Sequence, residues 1–267
     1  MSKYMAVWRL TFLNGLQYRT AALAGLSTQL FFGFIFIMIF SAFYSSTSAA
    51  QPMSWNELVN YIWLQQIFLS FVMLWFRDPA LFQLITSGNI AYELCRPAHL
   101  YPLWYMKLLA QRIASALLRC IPILLIVFIL PEHYRMTLPP SALQLTVFIV
   151  TLMTGLLLIV AISMMIYISV FWTMNPVGSI LLFAVGGEFF AGLVIPVPLM
   201  PDWMREITYV LPFRWTTDFP FRVYSGHISV LEAMSGIVIQ LLWLSALIIA
   251  GYLLMKRALK QIVIQGG

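Results

Sequence analysis

The chain has 267 residues, of which 62% are hydrophobic and only 9% are charged, and its mean hydropathy is +0.91. Soluble domains carry about 25% charged residues, so this composition excludes an ordinary soluble protein and indicates an integral membrane protein. The net charge of +6 does not indicate a nucleic-acid partner, because cytoplasmic loops of membrane proteins collect Lys and Arg.

Residues 1–19 are too polar to span a membrane. Their apolar side chains recur near helical spacing, with basic and amide residues between them, and are Tyr4, Val7, Trp8, Phe12 and Leu16. This pattern predicts an amphipathic helix that lies at the membrane interface. The alternative is a loosely ordered basic leader.

Six apolar segments follow and are long enough, or nearly so, to cross a bilayer, which takes about 20 residues. They cover residues 21–44, 58–76, 104–130, 143–172, 177–195 and 231–255. The first exceeds the apolar core of a signal peptide and is predicted to stay uncleaved. The fold class is therefore predicted to be all-α, with residues 1–267 forming one transmembrane domain.

Residues 77–103, between the second and third segments, contain a short helix with a signal at each end. Asp78 can cap its N-terminus, Pro79 suits the first helical position, and Gly88 suits the left-handed position after the last turn. These signals predict a helix over 79–87. A rigid helix held between two membrane spans is a projection that another protein can bind.

Residues 196–226, before the last segment, are too polar to span a membrane and too apolar for a free loop. Prolines break any long helix here, and aromatic side chains accompany them; the residues of interest are Pro196, Pro198, Pro201, Pro212 and Phe213. We predict one or two short helices that re-enter the outer leaflet. Irregular backbone at that depth is tolerated only against protein or a water-filled cavity.

The distribution of Lys and Arg predicts the orientation. Ten basic residues, including Lys107 and Arg112, fall on the side that holds both termini and residues 77–103, and four fall on the other side. The positive-inside rule then places both termini and residues 77–103 in the cytoplasm, and residues 196–226 outside.

Two charged residues are predicted to lie deep in the membrane. Arg119 is about 15 residues into the third span, roughly 22 Å along its axis, and Glu188 is about 12 residues into the fifth. Charges at such depth cost at least about 2.5–3.5 kcal/mol, so each needs a partner or water. We hypothesise that Arg119 and Glu188 approach one another, either as a packing ion pair or, with Phe189, as part of a translocation route or gate.

The usual catalytic signatures are missing from the sequence. There is no G-x-x-x-x-G-K-[ST], H-E-x-x-H or G-x-S-x-G motif. The three histidines fall in separate loops, and Cys95 and Cys120 lack metal-ligand spacing. We therefore predict no catalytic, cofactor-binding or metal-binding residues and no enzymatic activity in this chain.

The order of these elements resembles the permease subunits of type-2 ABC exporters, in a bacterial six-span branch. Three stretches carry the resemblance: QYRTAALAGLSTQLFFG at 17–33, SGNIAYELCRPAHLYPLW at 87–104 and IPVPLMPDWMREITYVLPF at 195–213. The resemblance covers nearly the whole chain.

The resemblance implies a dimer, with this chain or a relative as the second permease, in a bacterial cytoplasmic membrane. It also implies two separate cytoplasmic ATPase subunits that carry ATP and Mg²⁺. The helix at 79–87 is similar to the family's coupling helix, which gives as candidate docking residues Asp78, Pro79, Phe82, Ile85, Ser87, Gly88, Glu93 and Arg96. The segment 196–226 would form an outward gate. Candidate cavity residues on the second and fifth spans are Trp63, Gln66, Ser70, Glu188 and Phe189.

Two other functions remain open from the residues alone. One is a non-transporting membrane protein whose cytoplasmic helix recruits a soluble partner for assembly. The other is an autonomous carrier or channel, although two deep charges are few for ion coupling. The sequence does not identify the substrate.

Overall fold

The computed structural model describes residues 3–46, 51–75 and 77–261, and all regular structure in these ranges is helical. The α-helices are α1 (Lys3–Gly15), α2 (Arg19–Ser46), α3 (Trp55–Ile67), α4 (Leu69–Val72), α5 (Pro79–Thr86), α6 (Ile90–Leu94), α7 (Leu100–Ile129), α8 (Ala142–Thr173), α9 (Pro176–Ile180), α10 (Gly187–Phe190), α11 (Asp202–Val210), α12 (Asp218–Ser225) and α13 (Val230–Lys260). A π-helical turn, Leu181–Gly186, joins α9 to α10, and 3-10 turns occupy Val197–Leu199 and Phe213–Thr216.

Four helices of the described part are long and apolar enough to cross a membrane. They are α7, α8, α13 and the Ala22–Ser46 portion of α2, and they overlap the first, third, fourth and sixth predicted spans. The α8 helix is the central one, because two thirds of the residues in its most apolar stretch are buried. The corresponding share is about a sixth for α2 and α13. A helix that is apolar all round is suited to such an interior position.

The predicted second and fifth spans are not continuous α-helices. In the second, Phe68 separates α3 from α4, and regular helix ends at Val72 rather than at residue 76. In the fifth, the π-turn interrupts the α-helix, and the helix ends at Phe190 rather than at residue 195. Gly192 adopts a left-handed conformation with φ of 83° soon after, which glycine allows without steric cost.

The bundle has two opposite ends, and side chains near the helix termini form hydrogen bonds at each of them. At the α1 end, Tyr4 on α1 accepts a hydrogen bond from the His99 amide, 3.3 Å away, before α7. At the α11 end, Trp55 at the start of α3 donates to the His133 carbonyl at 3.1 Å. The C-terminus of α13 returns to the α1 end, where Ala258 shares a cavity with Ile85 of α5.

Residues 196–226 contain the two short α-helices α11 and α12, at the α11 end. The α12 helix packs against α3 and α8 and buries Phe219 and Phe221. Two amides of the long helices hold this segment. Gln144 on α8 donates to the Val223 and Ile228 carbonyls, and Gln240 on α13 donates to the Trp215 carbonyl. The segment is therefore tied into the bundle through its backbone.

Candidate functional site

Residues 73–78 connect α4 to α5, and we call them the 73–78 linker. The chain leaves helical geometry at Met73, with φ of −78° and ψ of 123°, and re-enters a helix after Asp78. The carbonyls at the end of α4 and the amides of Leu74 and Trp75 consequently lack helical partners. Backbone groups that lie inside a membrane protein must be satisfied by the protein itself, and here side chains of three other helices supply the partners.

Arg112 of α7 binds the carbonyls at the end of α4. Its side chain is 1% exposed, and Nη1 donates to the carbonyls of Ser70, Phe71 and Met73 at 3.3, 3.0 and 2.8 Å. Nη2 donates to Ser163 Oγ of α8 at 3.0 Å. A guanidinium suits this position because its planar group carries several N–H donors. The C-terminal end of a helix also carries partial negative charge, which attracts a cation.

Glu188 of α10 binds the amides that follow those carbonyls. Its Oε1 atom accepts hydrogen bonds from Leu74 N at 2.8 Å and Trp75 N at 3.2 Å. A cation therefore binds the carbonyls of this stretch of backbone and a carboxylate binds its amides. Charge-assisted hydrogen bonds of this kind are about twice as strong as neutral ones.

The hypothesised pairing of Glu188 with Arg119 is wrong. Glu188 has the linker amides as partners and Arg112 as the neighbouring cation. Arg119 instead lines a cavity of about 490 Å³ at the α1 end. The sequence placed both charges at depth but could not show which face of each helix they occupy.

Asp78 ends the linker and joins it to α7. Its carboxylate lies 2.7 Å from Lys107 Nζ and 3.0 Å from Gln111 Nε2, while its amide donates to Tyr167 of α8 at 2.7 Å. Burial raises the pKa of Asp78, but the ion pair and hydrogen bond with Lys107, the Gln111 amide and the Ala80 N–H together hold it below the ordinary value of 3.8. Asp78 is consequently charged at neutral pH.

The α5 helix has the caps that the sequence predicts. Asp78 accepts from Ala80 N at 2.9 Å, Pro79 occupies the first turn, and Gly88 has φ of 75°. One face is buried, with Phe82 stacked on Tyr167 at 4.5 Å between ring centroids. The opposite face is exposed at the α1 end.

The candidate docking residues therefore divide between the two faces. Asp78, Phe82 and Ile85 point into the bundle, so they position α5 and do not offer a docking surface. The exposed ones are Pro79, Ser87, Gly88 and Arg96, and Glu93 pairs with Arg96 at 3.2 Å. Sequence reasoning passed over Tyr92 and Leu94 of α6, whose side chains are 75% and 40% exposed. The available sequence signal was the presence of apolar residues in the short polar stretch that follows the capped helix.

Three of the candidate cavity residues are interior residues of this chain. Trp63, Gln66 and Ser70 are buried. Trp63 packs edge-on against Phe34 of α2, and the Gln66 carbonyl accepts from Gln29 of α2 at 2.9 Å. These residues therefore join α3 and α4 to neighbouring helices and present no free wall. Glu188 and Phe189 are half-buried, and Phe189 packs edge-on against Phe190.

The prolines of residues 196–226 occupy different environments. Pro196 and Pro198 are buried, Pro201 is exposed, and Pro212 is half-buried. Phe213 contacts α10 closely, since a Cβ atom placed on Gly187 would lie 2.8 Å from its ring and 2.7 Å from Leu74. Gly187 thus allows this segment, α10 and the 73–78 linker to meet at one point.

Residues 196–226 also contain a buried carboxylate that was not identified from the sequence. Asp218 at the start of α12 is fully buried, with Tyr61 Oη 3.2 Å and Arg222 Nη1 3.4 Å from its carboxylate oxygens. Tyr61 Oη also lies 3.1 Å from the Gly192 carbonyl. The group ties α12 to α3 and to the end of α10, and the i, i+4 spacing of Asp218 and Arg222 was its one sequence signal.

Long apolar helices around a linker that charged side chains bind, with a short helix exposed at one end, define a multi-pass helical membrane protein. The model of the family described as "ABC-2 family transporter protein" matches residues 30–266. The chain belongs to this family, and it is the transmembrane permease component of an ABC transporter rather than a catalytic enzyme. No curated protein and no solved structure matches the chain.

Proposed function

We propose that this chain forms half of the translocation path of an ATP-driven exporter, with ATP and Mg²⁺ bound by two separate cytoplasmic ATPase subunits. Permeases of this family generally work with such subunits. The observation that carries the proposal is the 73–78 linker. It fastens α5 to α7, α8 and α10 while leaving the other face of α5 exposed.

In this proposal the six passes through the membrane are α2, the α3–α4 pair, α7, α8, the α9–α10 pair and α13. The α1 end is cytoplasmic, in agreement with the ten basic residues assigned to that side. The α1 helix lies at the cytoplasmic interface, and residues 196–226 re-enter the outer leaflet as a gate. The membrane is the bacterial cytoplasmic membrane, with both termini inside.

Coupling follows from the way the linker is held. An ATPase that moves the exposed face of α5 displaces Asp78, and the Lys107 ion pair carries that displacement to α7. The backbone bonds to Arg112 and Glu188 carry it to α7 and α10. Because Gly187 brings α10 against Phe213, a shift of α10 reaches the 196–226 segment. The linker thus gives a continuous path of contacts from the docking face to the proposed gate.

The second permease is a copy of this chain or a relative. The α9 helix and the π-turn expose a row of large apolar side chains, namely Val177, Leu181, Leu182 and Val185. In the resembled exporters the fifth span flanks the dimer axis, and this exposed row supports the same role here. The interior position of α3 and α4 gives no such support to the second span.

The test is co-purification in detergent with a co-expressed candidate ABC ATPase subunit. We choose the variant Gln83→Arg/Thr86→Arg, because both side chains lie on the exposed face of α5 and away from the linker. It should lose the ATPase and its stimulation by the permease, while the wild type retains both. Glu132→Arg, at the α11 end, is the control and should bind as wild type does.

Two results would contradict the proposal. If no P-loop protein co-purifies with the wild type, the chain acts as a recruitment protein or an autonomous carrier. If the α5 variant keeps full binding and full ATPase stimulation, docking occurs elsewhere on the α1 end.

A further inference from the structure

The cavity of about 490 Å³ at the α1 end has a basic lining. It lies where α1 turns into α2, and α7 and the end of the 73–78 linker close its other sides. Among the described residues that line it, three are cationic, Arg77, Lys107 and Arg119, and Asp78 is the one carboxylate. Its volume is within the range of about 300–1,000 Å³ usual for small-ligand sites.

The carboxylate is already engaged within the protein. Asp78 binds Lys107 at 2.7 Å, and it also accepts from Gln111 and from the Ala80 amide. The Lys107 charge is therefore compensated, whereas Arg77 and Arg119 leave two positive charges at the cavity. Arg77 rests over the Trp75 ring, with 5.1 Å from Cζ to the ring centroid, and remains exposed.

Arg119 lacks an anionic partner among the described residues. Its Nε atom is buried and makes no hydrogen bond there, and no salt bridge joins it to a carboxylate of these ranges. Its guanidinium lies close to α2, since a Cβ atom placed on Gly25 of α2 would lie 3.2 Å from Arg119 Cζ. A guanidinium so far along a membrane-spanning helix needs an anion or water.

We propose that this cavity is a binding site for a phosphate group, with Arg119 as its principal ligand. A guanidinium matches phosphate oxygens with two parallel hydrogen bonds. Thr11, Tyr18 and Ser115 add hydroxyl-bearing side chains to the lining. Two sources supply such a group: the head group of an anionic phospholipid and free inorganic phosphate. The lipid is favoured, because basic pockets between transmembrane helices bind such head groups.

The experiment uses the full chain, purified in detergent and placed in nanodiscs of phosphatidylcholine with or without phosphatidylglycerol. Bound lipid is counted by native mass spectrometry, and the thermal midpoint is measured with and without inorganic phosphate. We expect the wild type to retain phosphatidylglycerol at least about tenfold better than phosphatidylcholine. A rise in midpoint with phosphate in pure phosphatidylcholine would instead identify free phosphate as the ligand.

Arg119→Gln should abolish this preference, and Arg119→Lys should keep most of it. Arg257→Gln is the matched control, because it removes an equal charge from an exposed position at the same end of the bundle. Should Arg119→Gln fail to fold, Ser115→Leu fills the cavity without changing any charge and should also abolish binding. Equal retention of both lipids with no effect of phosphate, or an unchanged preference in Arg119→Gln or Ser115→Leu, would overturn the proposal.

Discussion

At the scale of single residues, Arg112 and Glu188 bind backbone groups at the end of α4 and just after it. These groups have no hydrogen-bond partner within the helix. The sequence identified Glu188 by its depth in an apolar segment. It grouped Arg112 with the basic residues near the membrane boundary, because hydropathy gives distance along a helix and not the face that a side chain occupies. Only the packing of α7 against α4 shows that Arg112 points inward.

Replacing Arg112 should destabilise the fold markedly. Arg112→Gln removes charged donors from the carbonyls of Ser70, Phe71 and Met73, and hydrogen bonds to charged groups contribute about 1.5–3 kcal/mol each. We expect a clear fall in the thermal midpoint measured in detergent. Arg135→Gln, which removes a charge from an exposed loop at the α11 end, should leave the midpoint unchanged. Equal midpoints for both variants would mean that the linker is held by something other than Arg112.

At the scale of elements, local chemistry predicted α5 well and α3–α4 poorly. The α5 helix depends on Asp78, Pro79 and Gly88, whose capping preferences act within a few residues. The break at Phe68 depends on partners far along the chain. Cys120 of α7, for example, donates to the Ile67 carbonyl with 3.0 Å between Sγ and O. A sequence pattern cannot show such a partner, so it predicted one continuous span.

The contact between α2 and α3 leaves no room at Gly33. A Cβ atom there would lie 2.4 Å from Trp63 Cζ3, and the indole is held because its Nε1 donates to the Tyr134 carbonyl at 2.7 Å. Gly33→Ala should therefore separate the two helices and cost about 1–3 kcal/mol, the usual range for overpacking. The measurement is again the thermal midpoint in detergent.

Gly178→Ala is the matched control for Gly33→Ala. Nothing lies within 4 Å of a Cβ atom at Gly178, so this change should be neutral or raise stability by up to about 1 kcal/mol through helix propensity. A drop of similar size in both variants would show that the loss comes from glycine replacement in general and not from the contact with Trp63.

At the scale of the whole molecule, composition and hydropathy were enough to identify a multi-pass helical membrane protein, and the order of elements was enough to identify the family. The arrangement of the bundle was not available from them. That α8 is central, and that Trp63, Gln66 and Ser70 are interior residues, follows from helix packing. The orientation in the membrane remains a prediction based on the distribution of Lys and Arg.

The two cysteines allow this orientation to be tested. Cys95 is exposed at the α1 end, so with Cys120→Ala a membrane-impermeant maleimide should label it in inside-out vesicles and not in spheroplasts. Arg135→Cys in a background of Cys95→Ser/Cys120→Ala should show the reverse pattern, because Arg135 is exposed at the α11 end. Labelling of Cys95 from outside would invert the proposed topology and place α5 out of reach of any cytoplasmic ATPase.

The way the 73–78 linker is held bears on how the protein is made. Arg112 follows the carbonyls that it binds by 39 to 42 residues, and Glu188 follows the amides by 113 and 114. In the proposed six-span arrangement, the end of α4 would therefore enter the membrane during synthesis before its partners exist. Unpaired backbone groups are costly in lipid. Insertion of the α3–α4 pair is thus expected to stay incomplete, or protected by the insertion machinery, until α7 and then α10 have emerged.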